Sequence, residues 1–209
     1  MTRARPYDRD TALDAALTLF WKKGYHATSL KDLEAALQMK PGSIYAAFKS
    51  KEALFLLALD RYYQRNRQTL ADLQTAHASP LTALAEFLRS FAKAEADDPK
   101  RRACMVVRTM LDATEGEAAL AVQSRHYLDK MTGEFRAIFD AAKAAGELPE
   151  DADTARLARR YQANLTALRI EAQRGLEADA LSDLSEDMAC EIEAMRMKKG
   201  AESPSAPAN

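Results

Sequence analysis

The stretch that decides the fold is PGSIYAAFKSKEAL, residues 41–54. Pro41 favours the start of a helix, because the first helical position needs no N–H donor. Ile44 and Phe48 recur at four-residue spacing, which places both on one inward face of a short helix. Tyr45 falls on the opposite face. The stretch therefore predicts a short amphipathic helix that presents a tyrosine to its surroundings.

Two further helices precede this stretch. The nearer one begins at residue 28 or 29, with Asp32 placed to cap its first turn, and it ends near Gln38. The other covers residues 8–23, where apolar residues recur at helical spacing before a Lys-Lys-Gly end. Two short helices joined by a tight turn form a helix-turn-helix. Residues 1–52 are therefore predicted to be a three-helix DNA-binding domain.

Helical spacing continues through most of the remaining chain, with breaks at Pro80, Pro99, Gly116 and Pro149. Six more helices are predicted, at residues 51–75, 81–96, around 104–111, 117–145, 153–174 and 181–197. They assign residues 53–200 to a ligand-binding and dimerisation domain. Residues 201–209 contain two prolines and no apolar anchor, so a disordered tail is expected there.

The composition is that of a globular, helical protein. Apolar residues make up 47% and charged residues 29% of the chain, and helix-favouring Ala, Leu, Glu, Lys and Arg dominate. The formal net charge is -1, but residues 1–52 hold nine Lys and Arg against six Asp and Glu. A basic N-terminal segment followed by an acidic remainder is expected where only the N-terminal segment contacts the phosphates of a nucleic acid. A chance fluctuation gives the same asymmetry.

Several classes of protein do not fit the sequence. The first ten residues are charged and polar, and the longest apolar run, residues 53–59, is too short to cross a bilayer. Cys104 and Cys190 match neither a CxxC motif nor a disulfide framework. The three histidines lack metal-ligand spacing, and nucleotide-binding and hydrolase motifs are absent. We therefore expect a cytoplasmic protein that is not an enzyme and that uses no cofactor or metal.

Residues 9–56 resemble the tetracycline-repressor (TetR) family of bacterial regulators. The resemblance rests on Ala16-x-x-x-Phe20, Gly24-Tyr25, Ala27-Thr28-Ser29-Leu30-Lys31-Asp32-Leu33 and the run from Pro41 to Leu54. The number and lengths of the helices extend the likeness to the whole chain. The sequence departs from the family pattern at Ala46 and Ala47, where relatives often carry aromatic residues or histidine, and at Gln38, where they usually carry glycine.

The helix-turn-helix supplies candidate contacts to double-stranded DNA. Ser43 lies at the start of the third helix and Lys51 at the start of the fourth, where the positive end of a helix dipole favours phosphate. The resemblance implies backbone contacts from Ser29, Ser43, Tyr45 and Lys51, and positions nearest the bases for Lys31, Pro41, Gly42 and Ala46, with Lys40 adjoining them. An N-terminal arm with Arg3 and Arg5 is expected to neutralise phosphates or enter a minor groove. The alternative is an ordinary solvated surface.

Aromatic and sulfur-containing side chains converge in the predicted body. The candidate ligand-binding or sensing residues are Tyr62, Phe87, Phe91, Cys104, Arg108, Tyr127 and Met131. The resemblance implies that this interior holds an inducer, and the alternative is that it is simply the core. Arg108 follows an apolar run, where a charge without a partner is costly. It either pairs with Asp112 or faces an anionic ligand.

Cys104 offers a second mode of sensing. It follows Arg101 and Arg102 near the start of a helix, with Arg108 one turn later, and nearby cations favour a thiolate. Such a thiolate would react with oxidants or electrophiles, whereas the alternative is a small buried core residue. Cys190, on the last helix, is expected in the core.

The sequence thus predicts an all-α homodimeric regulator with no membrane partner. The last two helices of each chain are expected to form a four-helix bundle, because their apolar stripes have no other obvious partner. The predicted function is that of a repressor released from a palindromic operator by a small-molecule inducer. The alternatives are a redox- or electrophile-sensing repressor acting through Cys104, an activator, and a ligand-binding protein or enzyme that has lost DNA binding.

Overall fold

A computed structural model of the chain describes residues 8–92 and 104–197. Within these ranges the chain forms α-helices, one 3-10 turn at Glu115–Glu117 and no β-strand, which confirms the all-α prediction. The helices are α1 (Arg9–Lys23), α2 (Leu30–Leu37), α3 (Pro41–Phe48), α4 (Lys51–Ala76), α5 (Pro80–Ala92), α6 (Met105–Asp112), α7 (Ala118–Ala144), α8 (Thr154–Arg174) and α9 (Ala178–Ala194). None of these described helices combines the length and apolar character needed to cross a bilayer.

Helices α1, α2 and α3 form the head, and each begins at a residue suited to that position. Asp8 caps α1, and Ser29 with Asp32 forms a reciprocal capping box on α2. Pro41 occupies the first turn of α3. Gln38 ends α2 in the left-handed region, with φ of 53°. Gln38 therefore adopts a conformation that glycine takes more readily, and it ends α2 before the turn into α3.

Helix α4 belongs to both the head and the body. Leu54 and Phe55 are buried near its start, and Tyr62 and Leu70 are buried further along. The buried apolar residues form one continuous core that includes members of the head and of the body. The predicted domain boundary at residues 52 and 53 therefore lies in the first turn of a helix, and the division into domains stays a prediction.

The body is built around α5 and α7. Helix α5 packs against α4 and α9, and α7 packs against α6 and α8. Tyr161 on α8 and Ser185 on α9 donate hydrogen bonds of 2.7 and 2.9 Å to carbonyl oxygens of α5. Arg89 on α5 pairs with Glu186 and Glu193 on α9 at 2.7 and 3.0 Å. Polar contacts therefore reinforce the apolar attachment of α8 and α9 to the same chain.

The apolar stripes of α8 and α9 are largely used within one chain. Their buried apolar residues, each at most 3% exposed, are Ala158, Tyr161, Leu165, Leu168, Leu181, Ala189 and Ile192. The expectation that these stripes lack a partner in the monomer is therefore wrong, because α5 and α7 cover them. A different surface remains available to a second chain. The outer face of α8 carries the exposed residues Ala163, Ala167 and Ile170.

The predicted N-terminal arm with Arg3 and Arg5, the pair Arg101 and Arg102, and the tail 201–209 lie outside the described residues.

Candidate DNA interface and effector cavity

Helix α3 presents an exposed face opposite its buried residues. Tyr45 is 47% exposed, whereas Ile44 and Phe48 are each 2% exposed. We call the exposed residues Gly42, Ser43, Tyr45 and Ala46 the α3 face. In the first turn the Ser43 and Ile44 amides donate to the Lys40 carbonyl oxygen at 2.9 and 3.1 Å, while Ser43 and Tyr45 add exposed hydroxyl groups. The α3 face therefore combines hydrogen-bond donors with small side chains, which allow another molecule to approach the helix closely.

Gly42 is not required by the packing of the protein itself. A Cβ atom added at this position would meet no other atom within 4 Å. Glycine near a helix terminus gives up conformational entropy without a compensating internal contact. If the absence of a side chain at Gly42 has an advantage, it is in the contact of the α3 face with another molecule.

Helix α2 places Lys31 and Ser29 at its exposed N-terminal end. The Ser29 hydroxyl donates to the Asp32 carboxylate at 2.8 Å and accepts from the Asp32 amide at 3.1 Å. Lys23 also contacts this carboxylate at 2.6 Å, and Lys23 followed by the Ser29 hydrogen bonds holds the Asp32 pKa well below its usual range. Ser29 is thus already committed to capping, while Lys31 is free to meet an external partner.

Lys51 is held at the junction of the head with the body. Its ammonium lies 4.5 Å from the centre of the Tyr25 ring, in a cation–π arrangement. Partial burial lowers the pKa of Lys51, and the negative charge of Glu117 opposes that shift. Glu117 also pairs with His26 at 3.3 Å, although His26 carries charge only when protonated. The head and the start of α7 therefore meet through charged side chains.

Arg108 makes a second polar link between head and body. Its Nη2 donates to the carbonyl oxygen of Lys23 at 3.1 Å, at the end of α1, and its Nε faces Asp112 at 3.4 Å. A Cβ added to Gly24, which has φ of 83°, would lie 2.7 Å from Nη2 of Arg108. Glycine is therefore favoured there by the backbone conformation, whereas the Arg108 guanidinium is the end of a flexible side chain that could move aside. Arg108 faces α1 and Asp112, not the interior cavity predicted for a ligand.

The body contains a cavity of about 190 Å³ between α1, α4, α5 and α8. It brings together three of the predicted ligand-binding residues, Tyr62, Phe87 and Phe91. The other lining residues were not predicted: Leu17, Trp21, Arg65, Asn66, Thr69, Ser90 and Arg169. We call this space the effector cavity.

Arg169 is the buried charged residue among the lining residues that sequence reasoning missed. It is 3% exposed, and its guanidinium donates to the Tyr62 hydroxyl and, at 2.7 Å, to Asn66 Oδ1. The guanidinium also lies 4.4 Å from the centre of the Phe91 ring. The signal was present in the sequence, because Arg169 stands four and eight residues after Leu165 and Tyr161 on the buried stripe of α8.

Two other predicted ligand-binding residues lie elsewhere. The Tyr127 hydroxyl donates to Asp60 Oδ1 at 2.7 Å, and the residue lines a separate surface groove of about 450 Å³. Burial, followed by this hydrogen bond, raises the Tyr127 pKa. Met131 lines a small depression beside Tyr63 and Phe135. Helix α7 turns both residues away from the effector cavity, which a helix-by-helix reading of apolar spacing does not show.

The two cysteines have different environments. Cys104 is 3% exposed and occupies the N-cap position of α6, and its thiol lies close enough to Tyr62 and Arg169 to interact with them electrostatically. Cys190 is exposed and donates to Glu186 at 3.2 Å, so its expected place in the core is wrong. This contact with Glu186 raises the Cys190 pKa. Among the described residues, no group of three or more His, Cys, Asp or Glu side chains is placed to hold a metal ion.

Comparisons with known proteins agree with this arrangement. The profile described as "Bacterial regulatory proteins, tetR family" matches residues 12–58. The HTH-type transcriptional repressor ComR of Escherichia coli (strain K12) is 33% identical over 189 residues, which cover 88% of this chain and 89% of ComR. The repressor BdcR of the same strain is 31% identical over 124 residues, which cover 59% of this chain and 63% of BdcR.

A solved structure extends the likeness to three dimensions. The TetR family regulator CifR, in a cysteine-substituted form complexed with 26-bp double-strand operator DNA, superposes with a TM-score of 0.81. It is 31% identical, and the match covers 90% of this chain and 98% of that one. The similarity to ComR and CifR runs through the head and the body alike. The chain therefore belongs to the TetR family of bacterial regulatory proteins.

Proposed function

We propose that this protein is a transcriptional repressor that binds operator DNA as a homodimer and is released when a small molecule occupies the effector cavity. ComR and BdcR are named transcriptional repressors, and CifR has been solved on operator DNA. The single observation that carries the proposal is the exposed α3 face, with Tyr45 directed away from a well-packed three-helix head. A face of this size fits a DNA major groove.

In the proposed complex the residues divide between the DNA backbone and the bases. Ser43, Tyr45 and Lys51 contact phosphates, while Gly42 and Ala46 approach the base edges. Lys31 and Lys40, exposed on α2 and before α3, add positive charge on either side. Phosphate contacts supply affinity that does not depend on sequence, and base contacts supply the preference for one operator.

Replacement of Lys51 by Ala should weaken binding to all DNA sequences and lower the salt slope of binding by about one unit, because one phosphate contact is lost. The measurement is a salt titration of binding to genomic fragments selected by the parent protein. Lys130→Ala is the matched control, because Lys130 also lies near a tyrosine ring but on the body. Equal affinity and salt slope in Lys51→Ala and the parent would contradict the phosphate contact.

Gly42→Ala should separate folding from DNA binding. The added methyl group meets no protein atom, so the free energy of unfolding should be unchanged or raised by up to about 1 kcal/mol. Operator affinity should fall, because the methyl group occupies space at the base edges. Gly133→Ala, at an equally open helical position on α7, should leave operator affinity unchanged. If Gly42→Ala binds the operator as tightly as the parent does, Gly42 does not lie close to the bases.

A second copy of the chain is proposed to cover the outer face of α8. Ala163 and Ala167 are small enough for a close approach of two helices, and Ile170 is 46% exposed although apolar. Dimerisation through this face would set two α3 helices at a fixed separation. Two-fold symmetry of the protein would then require a palindromic operator with matching half-site spacing.

Ile170→Glu should yield monomers at micromolar concentration, because an unpaired charge would be forced into an apolar contact between helices. Sedimentation velocity measures the outcome. Ala137→Glu, on an exposed position of α7, is the control and should sediment as the parent does. If both variants remain dimeric, the interface lies on another surface.

Release requires a connection between the effector cavity and the head, and α6 provides one. Cys104 at its start contacts Arg169 and Tyr62, and Arg108 one turn later donates to the end of α1. A ligand that shifts the start of α6 would therefore disturb the hydrogen bond from Arg108 to the Lys23 carbonyl oxygen at the end of α1. Such a shift would change the angle of the head and the separation of the two α3 helices.

A response through Cys104 itself is the second candidate function, favoured by the contact of its thiol with the cation of Arg169. Hydrogen peroxide would oxidise the thiol to a sulfenic acid with release of water. Peroxide should then release the parent from DNA reversibly, Cys104→Ser should resist it, and Cys190→Ser should behave as the parent. If operator binding of the parent survives peroxide, this second candidate is excluded and release depends on a bound ligand.

A further inference from the structure

We propose that the effector cavity binds a small monocarboxylate with an apolar body, and that Arg169 holds its carboxylate group. This inference specifies the ligand of the proposed repressor. The first observation is that Arg169 is buried without a countercharge. Among the described residues its polar partners are Tyr62, Asn66 and Cys104, and no acidic side chain forms an ion pair with it. A buried cation with only neutral partners favours the arrival of an anion.

The second observation is an unused donor. The Nε atom of Arg169 is fully buried and has no hydrogen-bond acceptor among the described residues. Tyr62 and Asn66 accept from the two terminal nitrogens and so hold the plane of the guanidinium. A carboxylate can accept two parallel hydrogen bonds from a guanidinium, including one from Nε. Among the described residues the guanidinium thus lacks a negative charge and one acceptor, and a carboxylate that reached Nε by displacing the side chains over it would supply both.

The walls of the cavity determine the rest of the ligand. Leu17, Trp21, Phe87 and Phe91 line it with apolar surface, while Thr69 and Ser90 offer hydroxyl groups. An aromatic or branched aliphatic body would be removed from water by contact with these walls. The volume of about 190 Å³ suits a small molecule.

The balance of charge favours a carboxylate over a phosphate. The second arginine of the lining, Arg65, already pairs with Asp14 at 2.8 Å, so its charge is matched within the chain. Among the described lining residues, Arg169 alone is left to neutralise a ligand. One unmatched cation suits a singly charged carboxylate, whereas a phosphate monoester carries close to two negative charges at neutral pH.

The bound carboxylate would also act at the start of α6. Cys104 interacts electrostatically with the Arg169 guanidinium, so an anion bound to Arg169 would change the surroundings of this thiol. Displacement of Cys104 would move the helix that carries Arg108 to the end of α1. This last step depends on the proposed repressor function, whereas binding of the carboxylate does not.

The test uses the full chain and two probe acids, benzoate and phenylacetate, with their neutral amides benzamide and phenylacetamide and with inorganic phosphate. Isothermal titration calorimetry should show that at least one acid binds about 10- to 100-fold more tightly than its amide, since a charged hydrogen-bonding group is lost in the amide. Phosphate should bind more weakly than that acid. The proposal would be overturned if neither acid bound more tightly than its amide, or if phosphate bound more tightly than both acids.

Arg169→Met should abolish the difference between acid and amide without lowering the melting temperature substantially, because removal of a buried charge is often neutral or stabilising. Arg160→Met, on the exposed surface of α8, is the matched control and should bind the acid as the parent does. Ser90→Leu fills the cavity while keeping Arg169, so it should also lose acid binding. Acid binding that persists in both Arg169→Met and Ser90→Leu would place the ligand elsewhere.

Operator binding measured on the same proteins separates this inference from the proposed function. Arg169→Met should retain operator binding and lose release by the acid, and Arg108→Ala should bind the acid but release operator poorly. A parent protein that binds the acid but no genomic DNA would contradict the repressor function alone. A parent that binds DNA but prefers no acid to its amide would contradict the carboxylate site alone.

Discussion

Helix α4 carries one apolar face from the DNA-facing end of the molecule to the effector cavity, and the rest of the structure is arranged on it. Phe55 near its start packs against Phe20 of α1, with ring centres 4.9 Å apart. Tyr62, two turns later, is buried at the cavity and meets Trp21 edge-on at 4.9 Å. A continuous helix cannot tilt at one end without displacing the other, so the orientation of the head depends on packing in the body.

The apolar contacts of α4 and the polar contacts between α6 and α1 differ in strength, and the weaker polar contacts are the easier ones to rearrange. Each large apolar side chain buried on α4 contributes roughly 1.5–3 kcal/mol, so separation of the head from α4 would be very costly. The polar contacts between α6 and α1, such as that of Arg108 with the Lys23 carbonyl, contribute about 1 kcal/mol each. A ligand that favours one state by a few kcal/mol can reorganise contacts of that size. A change in the contacts between α6 and α1 would therefore cost less free energy than separation of the head from α4.

Arg169 stands where these two connections meet. Its side chain reaches from α8 to Tyr62 and Asn66 on α4 and to Cys104 at the start of α6. Burial raises the pKa of the Tyr62 hydroxyl, which therefore stays neutral beside the guanidinium and cannot serve as its countercharge. Neutral partners lessen the cost of burying the cation but do not cancel it. Arg169 is thus a buried charge with no acidic partner among the described residues, and it connects α8 with α4 and with the start of α6.

The sequence by itself determined the helices, the helix-turn-helix and the family, because these depend on local spacing and capping. The Ser29–Asp32 capping box, the start of α3 at Pro41 and the exposure of Tyr45 follow from residues within one or two turns of each other. Only the tertiary structure decided which helix faces meet. It turned Arg108 toward α1, moved Tyr127 and Met131 out of the cavity, and buried the stripe of α8 within its own chain. Apolar periodicity shows that a face is buried but not what buries it, since that depends on the packing of helices distant in sequence.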